Sequence, residues 1–265
     1  MVSHEKLLVD VGMSDLPFPV RVASRTDEEG QATVANISIS ARIVHDHEGN
    51  WTNRFIQIVH RHRHKIGTRT LRGRLGAYLE ELNATTVSLS FEYPYFIQKY
   101  TPVTKEPCLV SYRCAYRAHA SVDGAVPKVT FCVEVPALTS DDASAPGESG
   151  GLYGQLSKLR VEVQPTGELH PEDIVDLVDG RALSPVYSFL TTADQLHIIQ
   201  EVHSRDKTSV ELTEEVKAAL AQSDKVDWYS VRCFDYSMLH SYSTVIGTEK
   251  TMRIPINSFD FDQMR

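Results

Sequence analysis

The sequence is poor in the groups that most directly announce a chemistry. It has four cysteines, Cys108, Cys114, Cys132 and Cys233. No two are spaced Cys-x-x-Cys, which argues against a structural zinc site. Their apolar, strand-like surroundings read as buried free thiols of a reducing compartment. No run of about eighteen apolar residues exists to span a bilayer as a helix. The first ten residues hold no apolar stretch of signal-peptide length, so the expectation is a cytoplasmic protein without a membrane partner. Positive charge is in the minority: 27 Lys and Arg stand against 35 Asp and Glu, a formal net charge of -8. That balance argues against nucleic acid as the main partner. Neither a Gly-x-Ser-x-Gly elbow nor a Walker phosphate loop occurs.

What is present is a regular alternation of hydropathy periods along 265 residues, 42% of them hydrophobic. That is enough for one large domain or two small ones in tandem. A short strand is expected around residues 7–11, then a rigid extended turn at Leu16-Pro17-Phe18-Pro19. Residues 31–44 alternate with a period near two and read as a strand. From Trp51 the apolar spacing turns helical, and this helix is expected to end near Gly67. Leu71, Leu75, Tyr78, Leu79 and Leu82 mark a second helix that stops at Asn83. Strands follow at 85–92, 109–118 and 128–135, with an aromatic stretch at 93–100 and Asp123-Gly124 at a hairpin tip. The second half repeats the plan: a strand at 159–163, helices at 171–178, 193–202 and 212–221, and closing strands at 226–236 and 243–254. The halves share a plan but no sequence identity. The expected fold is α+β, made of two tandem units, 1–138 and 139–265, each of antiparallel strand pairs with inserted helices.

Several groups could carry chemistry. Residues 131–154 enter as a strand and leave as a polar, glycine-rich loop that carries Ser140, Asp141 and Asp142. His60 and His64, in His60-Arg61-His62-Arg63-His64, would share a helix face at i and i+4 and could hold a metal; a charged helix surface or an anion-binding rim is the other reading. Arg54, Arg61, Arg63, Lys65, Arg69, Arg72 and Arg74 are either a solvated helix face or the lining of an anion pocket. Asp46, His47 and Glu48 suit a polar turn. Glu201 and Glu211 lie ten positions apart around an expected helix break, and His240 lies near the closing strands.

Residues 91–104, FEYPYFIQKYTPVT, are similar to Phe-Pro-Tyr-Phe-Ile-x-Lys-x-Ala-Pro-Val-Ser of the type IB GTP cyclohydrolases, which open GTP toward folate-type pterins. Val11-Gly12, Pro17 to Pro19, residues 49–55, Val135-Pro136, Pro185-Val186-Tyr187, residues 201–211 and the His240 region extend the resemblance over most of the chain. It implies a bimodular tunnelling fold (T-fold), a homotetramer, active sites at subunit interfaces and a glutamate that anchors a purine or pterin edge. Carried over position by position, the family's metal-ligating cysteine falls on Asp141 and its Tyr-Gly-Ala-His histidine on Leu156. Its ligating glutamate falls on Glu201 with one residue inserted upstream, or on Gln200 without. The later glutamate then falls on Glu211, the expected heterocycle anchor. Of Glu-Ser-Ile-His-Asn-His only one histidine is matched, by His240. In the first half Trp51 and Asn53 replace a histidine and a serine, while Arg54 stays.

The resemblance with these departures implies a protein that binds a purine- or pterin-like heterocycle without the family metal. Glu211 would anchor the ring and Arg54 a phosphate. His240, Glu201 and Asp141 would carry acid–base chemistry. Two alternatives stay open: a non-catalytic binding or scaffold protein of the same fold, and a true GTP cyclohydrolase with substitute metal ligands such as His60 or His203.

Overall fold

The computed structural model describes residues 8–44, 50–123, 126–141, 154–236 and 241–250. Among them the chain forms one antiparallel sheet in sequence order: β1 (Leu8–Val22), β2 (Gln31–Val44), β3 (Ala84–Tyr100), β4 (Pro107–Ser121), β5 (Lys128–Ser140), β6 (Gly154–Pro165), then β8 (Val226–Tyr236) and β9 (Thr244–Glu249). The short β7 (Ser184–Pro185) pairs with β5. Helices α1 (Trp51–His62) and α2 (Thr68–Leu82) fall between β2 and β3. The others, α3 (Pro171–Asp179), α4 (Thr192–Ser204) and α5 (Ser209–Ala221), fall between β6 and β8.

Period-two alternation makes the two faces of the sheet different. One register line joins Ile37, Phe91, Tyr116, Phe131, Val163 and Tyr229 across six strands, and all six are buried beneath helices. Tyr116 and Phe131 stack with ring centroids 4.7 Å apart. The next line, on the other face, runs Asn36, Glu92, Ala115, Cys132, Glu162 and Ser230. The main core thus lies on one face; the other is more polar, and α4 covers it only at the β5–β6 end, where Ile198 and Val202 pack against Leu138.

The first half departs from the expected element bounds in three places. The expected short strand and proline turn are one continuous strand, β1, which carries Pro17 and Pro19. This is tolerated because β1 is a sheet edge with no ladder to supply on its outer side. The aromatic stretch belongs to β3, which runs through Pro94 beyond the last β2 pair at Asn36–Glu92. There the Gln31 side chain replaces the ladder: Phe96 N donates to its Oε1 at 2.7 Å and its Nε2 donates to Phe96 O at 2.8 Å. Finally, α1 stops at His62 rather than near Gly67, because Ile66 pairs in parallel with Val22 and Lys65 turns the chain at φ 53°.

Carboxylates from the second half fasten the first. Glu168 accepts from Thr68 N at 3.1 Å and Arg69 N at 3.2 Å, at the N-terminus of α2. Glu172, buried, accepts from Tyr95 Oη at 2.7 Å and Ser24 Oγ at 3.0 Å. Asp194, fully buried, accepts from Val103 N at 2.8 Å, Thr104 N at 3.0 Å and Thr104 Oγ1 at 2.7 Å, and also closes the capping box of α4 with Thr191.

Burial pushes the Asp194 carboxyl upward, but the bonds from Thr191, Thr104 and Val103 outweigh it and hold it well below the usual carboxylate range. The unfolded chain therefore takes up this proton first. The contact's stabilisation is complete above the unfolded value, about 4, and is lost as pH falls below it. Asp194→Asn is expected to lower the urea midpoint near neutral pH, and the deficit should shrink at about pH 3. A deficit that is the same at both pH values would contradict this account.

Candidate functional site

The carboxylates singled out in the sequence gather where β5 ends and β6 begins. Two capped helices create the place. α4 ends as Arg205 turns extended at φ -125°, ψ 132°. α5 opens on a capping box in which Glu211 N donates to Thr208 Oγ1 at 3.2 Å and Thr208 N donates to Glu211 Oε2 at 3.0 Å. The extended link between them docks on the end of β5. Ser140 N donates to Lys207 O at 2.8 Å, Lys207 N donates to Ser140 Oγ at 2.9 Å, and Ser140 Oγ donates to Asp206 Oδ1 at 2.5 Å. Asp141, half-buried, follows directly.

Gly154 opens β6 opposite Ser140. A Cβ on Gly154 would stand 2.8 Å from Val202 Cγ1, so the close approach of α4 to β6 requires glycine. Glu201 is the residue before Val202; its Oε2 accepts from Arg205 Nη1 at 2.9 Å. Leu156, two residues after Gly154 and on the same face, is 41% exposed, between Leu138 and Tyr236 on the neighbouring strands. Asp141, Glu201, Glu211 and Leu156 thus lie on segments that meet at one rim, although among the described residues no three His, Cys, Asp or Glu side chains come together as a metal site would require. Glu211 is exposed at the N-terminus of α5, one oxygen engaged in the cap and Oε1 without a bond among the described residues.

A buried polar chain underlies this rim, and the sequence reading did not single it out. Thr139 Oγ1 and Ser157 Oγ lie 2.7 Å apart, and Ser157 Oγ donates to Asp235 Oδ1 at 2.6 Å. Also missed was the ion pair of Lys99 with Asp179, with the ammonium 5.3 Å from the Tyr112 ring centroid and 5.9 Å from that of Tyr187. Lys99 lies inside the aromatic motif, where a lone basic residue in an apolar run was the available signal.

Other candidates are not brought to the rim. Arg54 is exposed on α1, which packs on α2 and β1 in the other half of the chain. His240, Asp142 and the Asp46, His47, Glu48 turn lie outside the described residues. His60 and His64 do not share a helix face, because α1 has ended before His64. His60 meets the Phe18 ring edge-on, and His64 Nε2 accepts from Arg63 Nε at 3.2 Å. His62 faces the Tyr78 ring; burial, then Arg74 and Arg61, lower its pKa. In the basic cluster Arg74 and Arg72 bond backbone carbonyls and Arg61 pairs with Glu81, which leaves Arg54, Lys65 and Arg69 exposed.

No cysteine reaches the rim. Cys108, Cys114, Cys132 and Cys233 are buried. Burial pushes the Cys114 and Cys233 thiols up, and that of Cys132 to about 12. Such thiols are poor nucleophiles and poor metal ligands.

The family model for type I GTP cyclohydrolase folE2 matches residues 3–245. This chain belongs to that family. Among FolE2 relatives, the GTP cyclohydrolase FolE2 of Nitrosococcus oceani is 30% identical over 240 residues, which are 91% of this chain and 89% of that protein. The GTP cyclohydrolase FolE2 of Geobacter sulfurreducens is 27% identical over 243 residues, 92% of this chain and 93% of that protein. Solved structures share the architecture at much lower identity. A urate oxidase from Bacillus sp. TB-90 has a TM-score of 0.56 at 9% identity, covering 92% of this chain and 98% of its own. Uricase from Arthrobacter globiformis has 0.53 at 10%, covering 95% and 96%. These likenesses show the fold alone: a mostly antiparallel sheet with few helices, as in tunnelling-fold proteins. Among the described residues of this FolE2-family chain, no helix is long and apolar enough to cross a membrane.

Proposed function

We propose that the chain is a GTP cyclohydrolase-type protein that binds a purine- or pterin-like heterocycle, in nucleotide form, and works on it by acid–base chemistry in place of the family metal. The observation that carries this reading is the rim itself. It carries Asp141, at the position the family resemblance gives to a cysteine, together with Glu201 and Glu211, while an exposed leucine, Leu156, stands at the position it gives to a histidine. Zinc and iron sites of that kind draw on thiolate and imidazole donors. A donor set of carboxylates beside a leucine, with every cysteine buried, does not fit them.

In this reading Glu211 anchors the ring through its carboxylate, which suits a pair of N–H donors. Glu201 or Asp141 takes a proton from an attacking water as its oxygen bonds to the ring carbon, and His240 returns a proton to the nitrogen released. Arg54 holds phosphate. A site that draws Arg54 and Glu211 from two copies of the chain fits the subunit-interface site that the family resemblance implies. A homotetramer of two-unit chains is part of the proposal.

The test is turnover of GTP, followed by loss of purine absorbance, on protein stripped with a chelator and on protein supplied with zinc, iron or manganese. The expected result is ring opening at the same rate in both. Turnover only in the metal-supplied sample, or none in either, overturns the reading.

A further inference from the structure

Two grooves open on the more polar face of the sheet, on the part of it that no helix covers. The larger, about 510 Å³, spans β1 to β5 with Gln164 of β6 at its border. Its floor is unusual in composition. Ser38 stands opposite Ser90 and Ser40 opposite Ser88, so four hydroxyls from two strands share one surface. β4 continues the two lines with Arg117 and His119, and β5 with Thr130 and Lys128. A strand face that only has to meet water is well served by threonine, which strands favour. Four serines instead keep the floor low between long side chains. The bulge in β1 between Met13 and Leu16, with Asp15 at φ 56° donating its N–H to Ser38 Oγ at 3.2 Å, makes the outer wall.

The electrostatics separate this groove from its neighbour. Asp15 of the bulge apart, none of the residues lining it is acidic, although the chain has a net charge of -8. Lys128 makes no ion pair among the described residues. Arg117 has only a 3.3 Å contact with Glu162, whose Oε1 Arg160 holds more closely at 2.9 Å. Ser88 Oγ lies 2.9 Å from His119 Nδ1, while the Ser40 and Ser90 hydroxyls have no partner among the described residues. The smaller groove, about 340 Å³, shares Arg117 with the larger one and adds Arg113 and Arg160 beside Glu92 and Glu134, so carboxylates are part of its lining.

We propose that the larger groove binds a small phosphorylated polyol, at a site separate from the nucleotide rim. Lys128, Arg117 and His119 supply donors to the phosphoryl oxygens, and the serine hydroxyls, which both donate and accept, match the hydroxyls of the body. The volume lies within the range of about 300–1,000 Å³ usual for small-molecule sites.

The probe is ribose 5-phosphate, titrated calorimetrically into full-length protein carrying Arg54→Gln, so that the proposed phosphate contact at the rim is reduced. Saturable binding is expected, weakened at least about tenfold by Lys128→Glu and abolished by Ser40→Val with Ser90→Val, which fills the floor with a strand-favoured residue. Unchanged far-UV circular dichroism shows that these variants fold. Absence of saturable binding, or binding indifferent to both sets of variants, overturns the site. Equal affinity for inorganic phosphate overturns the polyol part of the assignment.

Discussion

Glu211→Gln is expected to weaken GTP binding about 10- to 100-fold while leaving the melting temperature unchanged within about a degree. The two halves of this expectation follow from two roles of one carboxylate. In the helix cap, Glu211 Oε2 accepts from Thr208 N, and glutamine at the same position also closes a capping box. Toward a ligand, an ionised acceptor of guanine-type N–H groups contributes about 1.5–3 kcal/mol, and about 1.4 kcal/mol is a factor of ten in affinity. A carboxylate has about four lone-pair sites, so the cap leaves room for a pair of ring donors. Calorimetric titration with GTP and a thermal melt on the same preparation separate the roles. Unchanged affinity in Glu211→Gln would remove it as the anchor, and a large fall in melting temperature would make it a structural residue only.

How far the sequence revealed this site is clear at the same residue. Thr208-Ser209-Val210-Glu211 is a capping-box pattern, so α5 starts at Ser209, three residues before the start inferred from the apolar stripe alone. The break between the helices was legible in outline. What docks there was not, since the link from Ser140 to residues 206–208 joins strand to loop across more than sixty positions without a periodic signal. The strands that alternate cleanly, such as β2, β4 and β5, were legible because one buried face imposes a period of two. β1 and the end of β3 were hidden by their prolines, which mark a turn in isolation and an edge in the assembled sheet. Glu168, Glu172 and Asp194 look like ordinary surface acids until the backbone N–H groups and hydroxyls that they satisfy are brought to them by the fold.

The Lys99–Asp179 pair predicts the larger change in stability. Lys99, on β3, meets Asp179, at the end of α3, and their side chains are only 11% and 15% exposed. Asp179 Oδ1 is buried with no partner. Burial raises the Asp179 pKa, and Lys99 opposes that rise. Replacing Lys99 by methionine keeps the length of the stem but leaves a buried carboxylate without compensation, a loss of about 3–5 kcal/mol, or roughly 10 °C in melting temperature for a chain of this size. The sign of the pH dependence follows. Without Lys99 the folded pKa of Asp179 rises further above its unfolded value, so the folded state binds the proton more tightly. The penalty is complete above the folded pKa and disappears below the unfolded value of about 4. The deficit of Lys99→Met should therefore be larger at about pH 7 than at about pH 5, and Lys99→Met with Asp179→Asn should recover most of it by removing the charge. Tyr187, which flanks the ammonium, also packs against the cluster of Leu183, Ile198 and Val202 behind the rim. The pair thus holds the wall on which Glu201 is carried. Urea midpoints for the single and double variants at both pH values test this, and a double variant no more stable than Lys99→Met would show that lost packing, rather than an uncompensated charge, sets the cost.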